Sequence, residues 1–332
     1  MSEAVNNNSI QEALNKKARQ RKLIRTILPY CGLLFVFVLF TVVCRDDSGK
    51  SIFLDRGNFQ NLINQCFSNI IVVAGACFIY ATGAMDMSVG AVVGMTMFTA
   101  AATLRAGLPW PVALIVSMLT GVLLEVTVAV VFQNLKVPVF IITLCMMYLE
   151  QGLLQTLVQT DFTINYNATS FLGNSAGIKA VVLIVILALT YWLFHKTKFG
   201  PKLKAIGANR TTATQGGVKV ILTVCLGFAV LGATAGVAGF FSLCRMGYTT
   251  ASSGAGIMLN VMIAMVLGGN PLTGGSSFKL ANAVVGALIV TMLGNGLTLL
   301  GMVPALVETS KGVLYLIIVF FTYDKSKGYL VS

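Results

Sequence analysis

Charge is scarce in this 332-residue chain: Asp, Glu, Lys and Arg together make up 10% of it, against about 25% in an average soluble domain. Acids are the scarcer sign, 11 against 23 Lys and Arg, and there is one histidine, His195. So little charge excludes a separate soluble domain. No Gly-rich loop ending in Gly-Lys-Ser/Thr occurs, so the chain has no P-loop with which to bind ATP. Neither a Ser/His/Asp constellation nor a metal-ligand spacing is present, and the chain is not expected to be an enzyme by itself. The seven cysteines contain no CxxC pair and lie mostly in apolar runs. They read as apolar filler, supporting neither disulfides nor a metal site. His195, with no partner signature, reads as an interface residue.

What is abundant is apolar: 56% of the residues. Backbone groups in lipid must be satisfied internally, so each long apolar run reads as a helix. A span needs about 20 residues, and ten candidates follow: 27–44, 61–82, 87–105, 110–132, 137–158, 178–194, 220–243, 257–268, 280–300 and 303–322. The eighth is too short to cross alone and is expected to be tilted, broken or extended. No cleavage site follows Cys44, so the first run is read as an uncleaved span. The expectation is an all-α polytopic membrane protein of about ten transmembrane helices.

The net charge of +12 raises the question of nucleic acid, but its distribution answers otherwise. Lys16, Lys17, Arg19, Arg21, Lys22 and Arg25 precede the first span; Lys196, Lys198, Lys202, Lys204, Arg210 and Lys219 lie in one loop. With Lys136, Lys279, Lys325 and Lys327 these fall on one side of an even number of spans. Arg45, Lys50, Arg56, Arg105, Lys179 and Arg245 fall on the other. This is the positive-inside pattern, and it predicts both termini in the cytoplasm. The outer segment 159–177 is polar and turn-rich and reads as a loop; its Asn167-Ala168-Thr169 triplet is discounted as a glycosylation site.

Polar residues within spans are costly and are functional candidates. Two apolar runs are broken alike, at Gly83–Gly90 and at Gly268–Gly275. Paired interruptions point to a transport pathway in repeat-built transporters; tight turns are the alternative. Asp86 and Ser88, at the first break, either cap the third span or line a pathway. Glu125 and Glu150 stand on what should be neighbouring antiparallel spans. Counted at about 1.5 Å per residue, one falls inward of the midplane and the other outward, so a direct proton-sharing pair is not expected. They either bind a polar solute or hold a helix or second subunit. Asn295 joins Asp86, Ser88, Glu125 and Glu150 as a candidate pathway group. Glu308 and Lys311, spaced i,i+3, are expected to pair. Gly232, Gly236 and Gly239, like Gly294 and Gly296, permit close helix approach.

In order and spacing, four segments resemble the permease subunits of bacterial ABC importers for monosaccharides of the ribose, xylose and galactose class. Gly83, Asp86, Ser88, Val89 and Gly90 match Gly-Gly-Ile-Asp-Leu-Ser-Val-Gly; Lys136 to Leu144 resembles Arg-Ile-Pro-Pro-Phe-Ile-Val-Thr-Leu. The basic loop matches at Gly200, Ala205, Ile206, Gly207, Asn209, Ala213 and Gly217. The last segment runs from Gly268 through Gly274-Gly275, Gly286, Asn295-Gly296 and Pro304 to Lys311-Gly312.

The resemblance implies that 196–219 is a cytoplasmic coupling loop within a single permease domain, 27–323, between a basic segment 1–26 and a tail 324–332. Its Asn209–Val218 portion, with Arg210, would be the coupling helix that enters a groove of a separate ATPase subunit. That subunit would bind ATP and Mg. A solute-binding protein would deliver sugar, and two permeases would line one pathway in the plasma membrane of a bacterium. Departures include Arg210-Thr211 for Pro-Glu, Asn260 for the Asp of Glu-Leu-Asp, and Gly274-Gly275-Ser276-Ser277 for Gly-Gly-Arg-Gly. Glu125 and Glu150 replace a small and an aromatic residue. Such changes imply a divergent solute or a heterodimer with a more typical permease. From the residues alone, an ion-coupled secondary transporter using the intramembrane carboxylates is the alternative.

Overall fold

The computed structural model describes residues 27–46, 49–135, 137–158, 162–164 and 166–322. The basic segment 1–26, Lys136 and the tail from 324 onward lie outside the described residues. Helices dominate: α1 (Ile27–Val43), α2 (Arg56–Tyr80), α3 (Val89–Arg105), α4 (Trp110–Leu135) and α5 (Val139–Leu157) are followed by the short α6 (Tyr166–Asn174) and by α7 (Ala176–Tyr191). A π-turn, Trp192–Lys196, leads into α8 (Phe199–Ala208) and α9 (Arg210–Gln215). Then come α10 (Val220–Met246), α11 (Ile257–Leu267), α12 (Leu280–Leu299) and α13 (Pro304–Thr322).

Every predicted span coincides with a helix. Six are long and apolar enough to cross a membrane by length and composition: α2, α4, α5, α7 with its π-turn, α10 and α12. The stretches 27–43, 89–105 and 257–267 are shorter apolar helices. The chain is thus an all-α polytopic membrane protein. Residues 159–177, read as a loop, instead contain α6 and strand β1 (Phe162–Thr163), which pairs antiparallel with β2 (Tyr248–Thr249). A two-residue ribbon has no periodicity to read, and the short α6 is held by packing: Gly173 seats directly on the Cys244 carbonyl at the end of α10.

α10 and α2 form the centre of the bundle, with α3, α4 and α12 around them. Lipid tails are as apolar as leucine, so close backbone approach and hydrogen bonds drive helix association here. The small residues of α10 are placed accordingly. Gly232 crosses Gly121 of α4 so closely that a side chain on either would strike the other's carbonyl. One turn on, Gly236 lies against Ser117 and Met118, and Ser117 Oγ donates to the Gly236 carbonyl at 3.2 Å. Gly239 meets Thr96 of α3 and Gly75 of α2 meets Thr234. On the outside, Leu119 and Leu123 of α4 and Ile184 and Val185 of α7 are exposed, as lipid-facing positions are.

Candidate functional site

The basic loop folds into two short helices, α8 and α9, joined as an elbow at Asn209. Gly200 starts α8 against the Phe194 carbonyl, where a Cβ has no room. Asn209 leaves the helical region with φ −163° and ψ 114°, and its side chain accepts from Thr212 N at 3.0 Å. It is therefore the N-cap of α9, satisfying a donor that a helix start leaves free. Ala213 and Leu203 are buried beneath the elbow, while Ala205, Arg210, Thr211, Thr212, Thr214 and Gly217 are exposed. No acidic residue interrupts 196–219, so this exposed face is basic and small. The Arg210 guanidinium lies 5.5 Å from the Phe132 ring of α4, and the Lys204 ammonium 4.9 Å from Phe194. Burial, with the Lys279 ammonium nearby, holds Lys204 below the ordinary lysine value.

Above the elbow the two chain breaks meet. Gly275 N donates to the Ala81 carbonyl at 2.9 Å. Gly83 adopts φ +80° and Gly274 φ +68°, conformations glycine alone adopts freely, and each packs on the backbone of the other break. Gly207 of α8 completes the junction. A Cβ there would strike the Ala81 carbonyl and come within 2.7 Å of Gly275 N and 3.1 Å of Thr82 C. One glycine of the elbow therefore touches both breaks at once. Asn270 braces the second break, accepting from Lys279 N at 2.9 Å and donating to the Lys279 carbonyl at 3.0 Å. A cavity of about 150 Å³ between Arg210, Phe132, Ile206, Gly83 and Ala84 adjoins a more open cleft of about 470 Å³ over Val137 and Pro138.

Asp86, Glu125 and Glu150 come together between α3, α4 and α5. All three side chains are fully buried. Asp86 Oδ1 accepts from Ser88 N at 3.0 Å and from Ser88 Oγ at 2.7 Å, which closes the turn into α3. Asp86 thus holds the N-cap residue Ser88 by its N–H and its hydroxyl, and the Ser88 side chain itself makes no cap bond to α3. Asp86, Glu125 and Glu150 lie near enough to one another for their charges to be felt, while Asp86 Oδ2 and all four oxygens of the two glutamates make no hydrogen bond. The sequence-based offset in depth is corrected. α4 runs on to Leu135 and α5 starts at Val139, so Glu125 and Glu150 stand ten and eleven residues from the same end, each about 15 Å in.

Asn295 lies apart from these groups. It exchanges both amide hydrogen bonds with Asn58, at 3.0 and 2.9 Å, and so clasps α12 to α2. Gly296 beside it seats the Phe40 ring of α1. Glu308 and Lys311 pair at 2.8 Å, and Lys311 also reaches Asn260 of α11 at 3.1 Å. His195 stacks on Tyr191 with ring centroids 4.5 Å apart. Among the described residues, no group of three His, Cys, Asp or Glu is poised to hold a metal. Lys179, counted in the sequence only as an outer basic residue, is buried in the first turn of α7, donating to Asn64 and to the Gly173 carbonyl. Its signal was a lone lysine opening an otherwise uninterrupted apolar run.

The chain is similar to known proteins over most of its length. Residues 58–322 match the model of the family described as branched-chain amino acid transport system / permease component. The ribose import permease protein RbsC of Bacillus subtilis (strain 168) is 29% identical over 307 residues, which is 90% of this chain and 92% of that protein. The galactofuranose transporter permease protein YtfT of Escherichia coli (strain K12) is 29% identical over 266 residues, 78% of each chain. The autoinducer 2 import system permease protein LsrC of Photorhabdus luminescens is 30% identical over 238 residues, 70% of this chain and 71% of that one. No solved structure matches significantly. The match spans the breaks, the elbow and the helices that join them, and the chain belongs to the family of branched-chain amino acid transport system permease components.

Proposed function

We propose that this chain is the membrane subunit of an ATP-driven importer and forms the pathway for a sugar or sugar-like solute. The observation that carries the reading is the elbow. It offers a separate subunit an exposed, basic, small-residue face through a capped helix, and Gly207 ties that face to both helix breaks. Displacement of α9 by a partner is then felt at both breaks through backbone contacts, with no flexible side chain to absorb it. The partner supplies ATP, Mg and hydrolysis; this chain contributes no P-loop. The solute class rests on relatives named for ribose, galactofuranose and autoinducer 2.

The basic residues put the elbow and both termini in the cytoplasm of a bacterium, with ten spans in the plasma membrane. On that orientation β1, β2 and α6 face outward, where a solute-binding protein would deliver its load. A second permease, identical or paralogous, completes the pathway. The test is uptake of labelled ribose and galactose into proteoliposomes holding the permease, the ATPase and the binding protein. Import should require ATP and survive collapse of ion gradients. Import that continues with an inactivated ATPase would refute the reading.

A further inference from the structure

The carboxyl cluster between α3, α4 and α5 is not needed for coupling through the elbow, and its hydrogen bonding is unfinished. Asp86 Oδ2, both oxygens of Glu125 and both oxygens of Glu150 have no hydrogen-bond partner, and all three side chains are fully buried. An ionised carboxylate can only accept hydrogen bonds; a protonated one can donate. Carboxylates buried together without donors therefore leave their oxygens unsatisfied unless one of them carries a hydrogen. A second polar group meets the cluster from another helix. The Tyr80 hydroxyl at the end of α2 is 1% exposed, has no partner, and interacts with Asp86. A phenol there can donate to a carboxylate or accept from a carboxylic acid.

Among the described residues, neither a cation nor a metal site neutralises the cluster. Beyond Tyr80, the titratable groups facing this region are Cys77 on α2 and Tyr315 on α13, and neither is a cation. α4 contributes Glu125 alone; α10, packed along α4, carries its charged residue Arg245 near the opposite end from this contact. No set of metal ligands is present among the described residues. An ion left unpaired in a dry interior costs far more than a neutral acid.

We propose that Asp86, Glu125 and Glu150 form a proton-binding site inside the helix bundle. A hydrogen carried by one carboxyl is donated to the next, with Tyr80 closing the array beside Asp86. No bond to carbon forms or breaks; the proton comes from and returns to water. Because Asp86 stands at the first chain break, the site ties α4 and α5 to that break only while protons are held. Removing them sets like charges against one another, and the three helices part. Proton binding here does not require that a proton gradient drive import, so the site stands or falls apart from the ATP-driven reading.

Infrared spectroscopy of the full-length protein in lipid nanodiscs tests it, comparing wild type with Glu125→Gln, Glu150→Gln and Asp86→Asn near neutral pH. The expected result is a protonated-carboxyl carbonyl band that shifts in deuterium oxide and is reduced in at least one of the three variants. Absence of any such band from the wild type would overturn the site without recourse to the variants. So would a band that persists undiminished in all three. A second measurement covers variants that fail to fold: wild-type thermal stability should fall toward alkaline pH, and a Glu125→Gln/Glu150→Gln pair that folds should show a flatter profile. A carboxylate signal that moves with added sodium or potassium would instead assign a metal cation and contradict the proposal.

Discussion

Replacing Gly207 by alanine adds one methyl group to the junction of elbow and breaks. Its Cβ would lie 2.7 Å from Gly275 N and 3.1 Å from Thr82 C, besides striking the Ala81 carbonyl. All three are backbone atoms, so no side chain can rotate out of the way. Overpacking of a tight contact costs about 1–3 kcal/mol. The methyl also sits on the 2.9 Å bond from Gly275 N to the Ala81 carbonyl, whose loss adds about 1 kcal/mol. A total near 3 kcal/mol on the docked arrangement shifts the balance toward a displaced elbow about a hundredfold. The assay is paired: ATP-driven uptake in proteoliposomes with the ATPase, and thermal unfolding in the same lipid. Gly207→Ala should lose most coupled uptake while remaining in the membrane. Gly152→Ala, on an exposed face of α5 with nothing within 4 Å, should behave as wild type in both. Wild-type melting together with wild-type uptake for Gly207→Ala would refute the junction as the route of coupling.

Three further outcomes follow from particular contacts. Asn209→Ala removes the α9 cap, about 1 kcal/mol; it should weaken ATPase assembly, and Asn209→Ser should restore much of it, as measured by co-purification. Asn295→Ala leaves the buried Asn58 Oδ1 without its donor, while Asn58 Nδ2 keeps the Phe53 carbonyl, and should cost about 1–3 kcal/mol, lowering the melting temperature with no change in ATP dependence of uptake. Gly232→Val drives a branched side chain into the Gly121 backbone of α4, and should destabilise more than the same change at the uncrowded Gly312, read by thermal unfolding.

Much of the fold is legible in the sequence because apolar length is a strong signal and lipid leaves the backbone few choices. All ten predicted spans fall on helices. The Glu308–Lys311 pair follows from its i,i+3 spacing and is present at 2.8 Å. What the sequence hides is long-range or depends on helix ends. The meeting of Gly207, Ala81 and Gly275 joins three segments whose proximity no local pattern encodes. Span edges read from apolar runs are off by a few residues, which puts Glu125 and Glu150 at different depths. At about 1.5 Å per residue that error offsets two groups that stand ten and eleven residues from the same helix ends, although, as the sequence led one to expect, no hydrogen bond joins them. The β1–β2 ribbon and α6 are too short to carry a period, and tertiary contacts alone fix them.

The most direct test of the central claim is to purify the tagged chain from its native membranes in mild detergent and identify its stoichiometric companions. A P-loop ATPase subunit in fixed ratio, lost when Gly207→Ala and Asn209→Ala are combined, is the result predicted here. A chain that purifies alone, under conditions that keep other ATP-driven importers assembled, would contradict it.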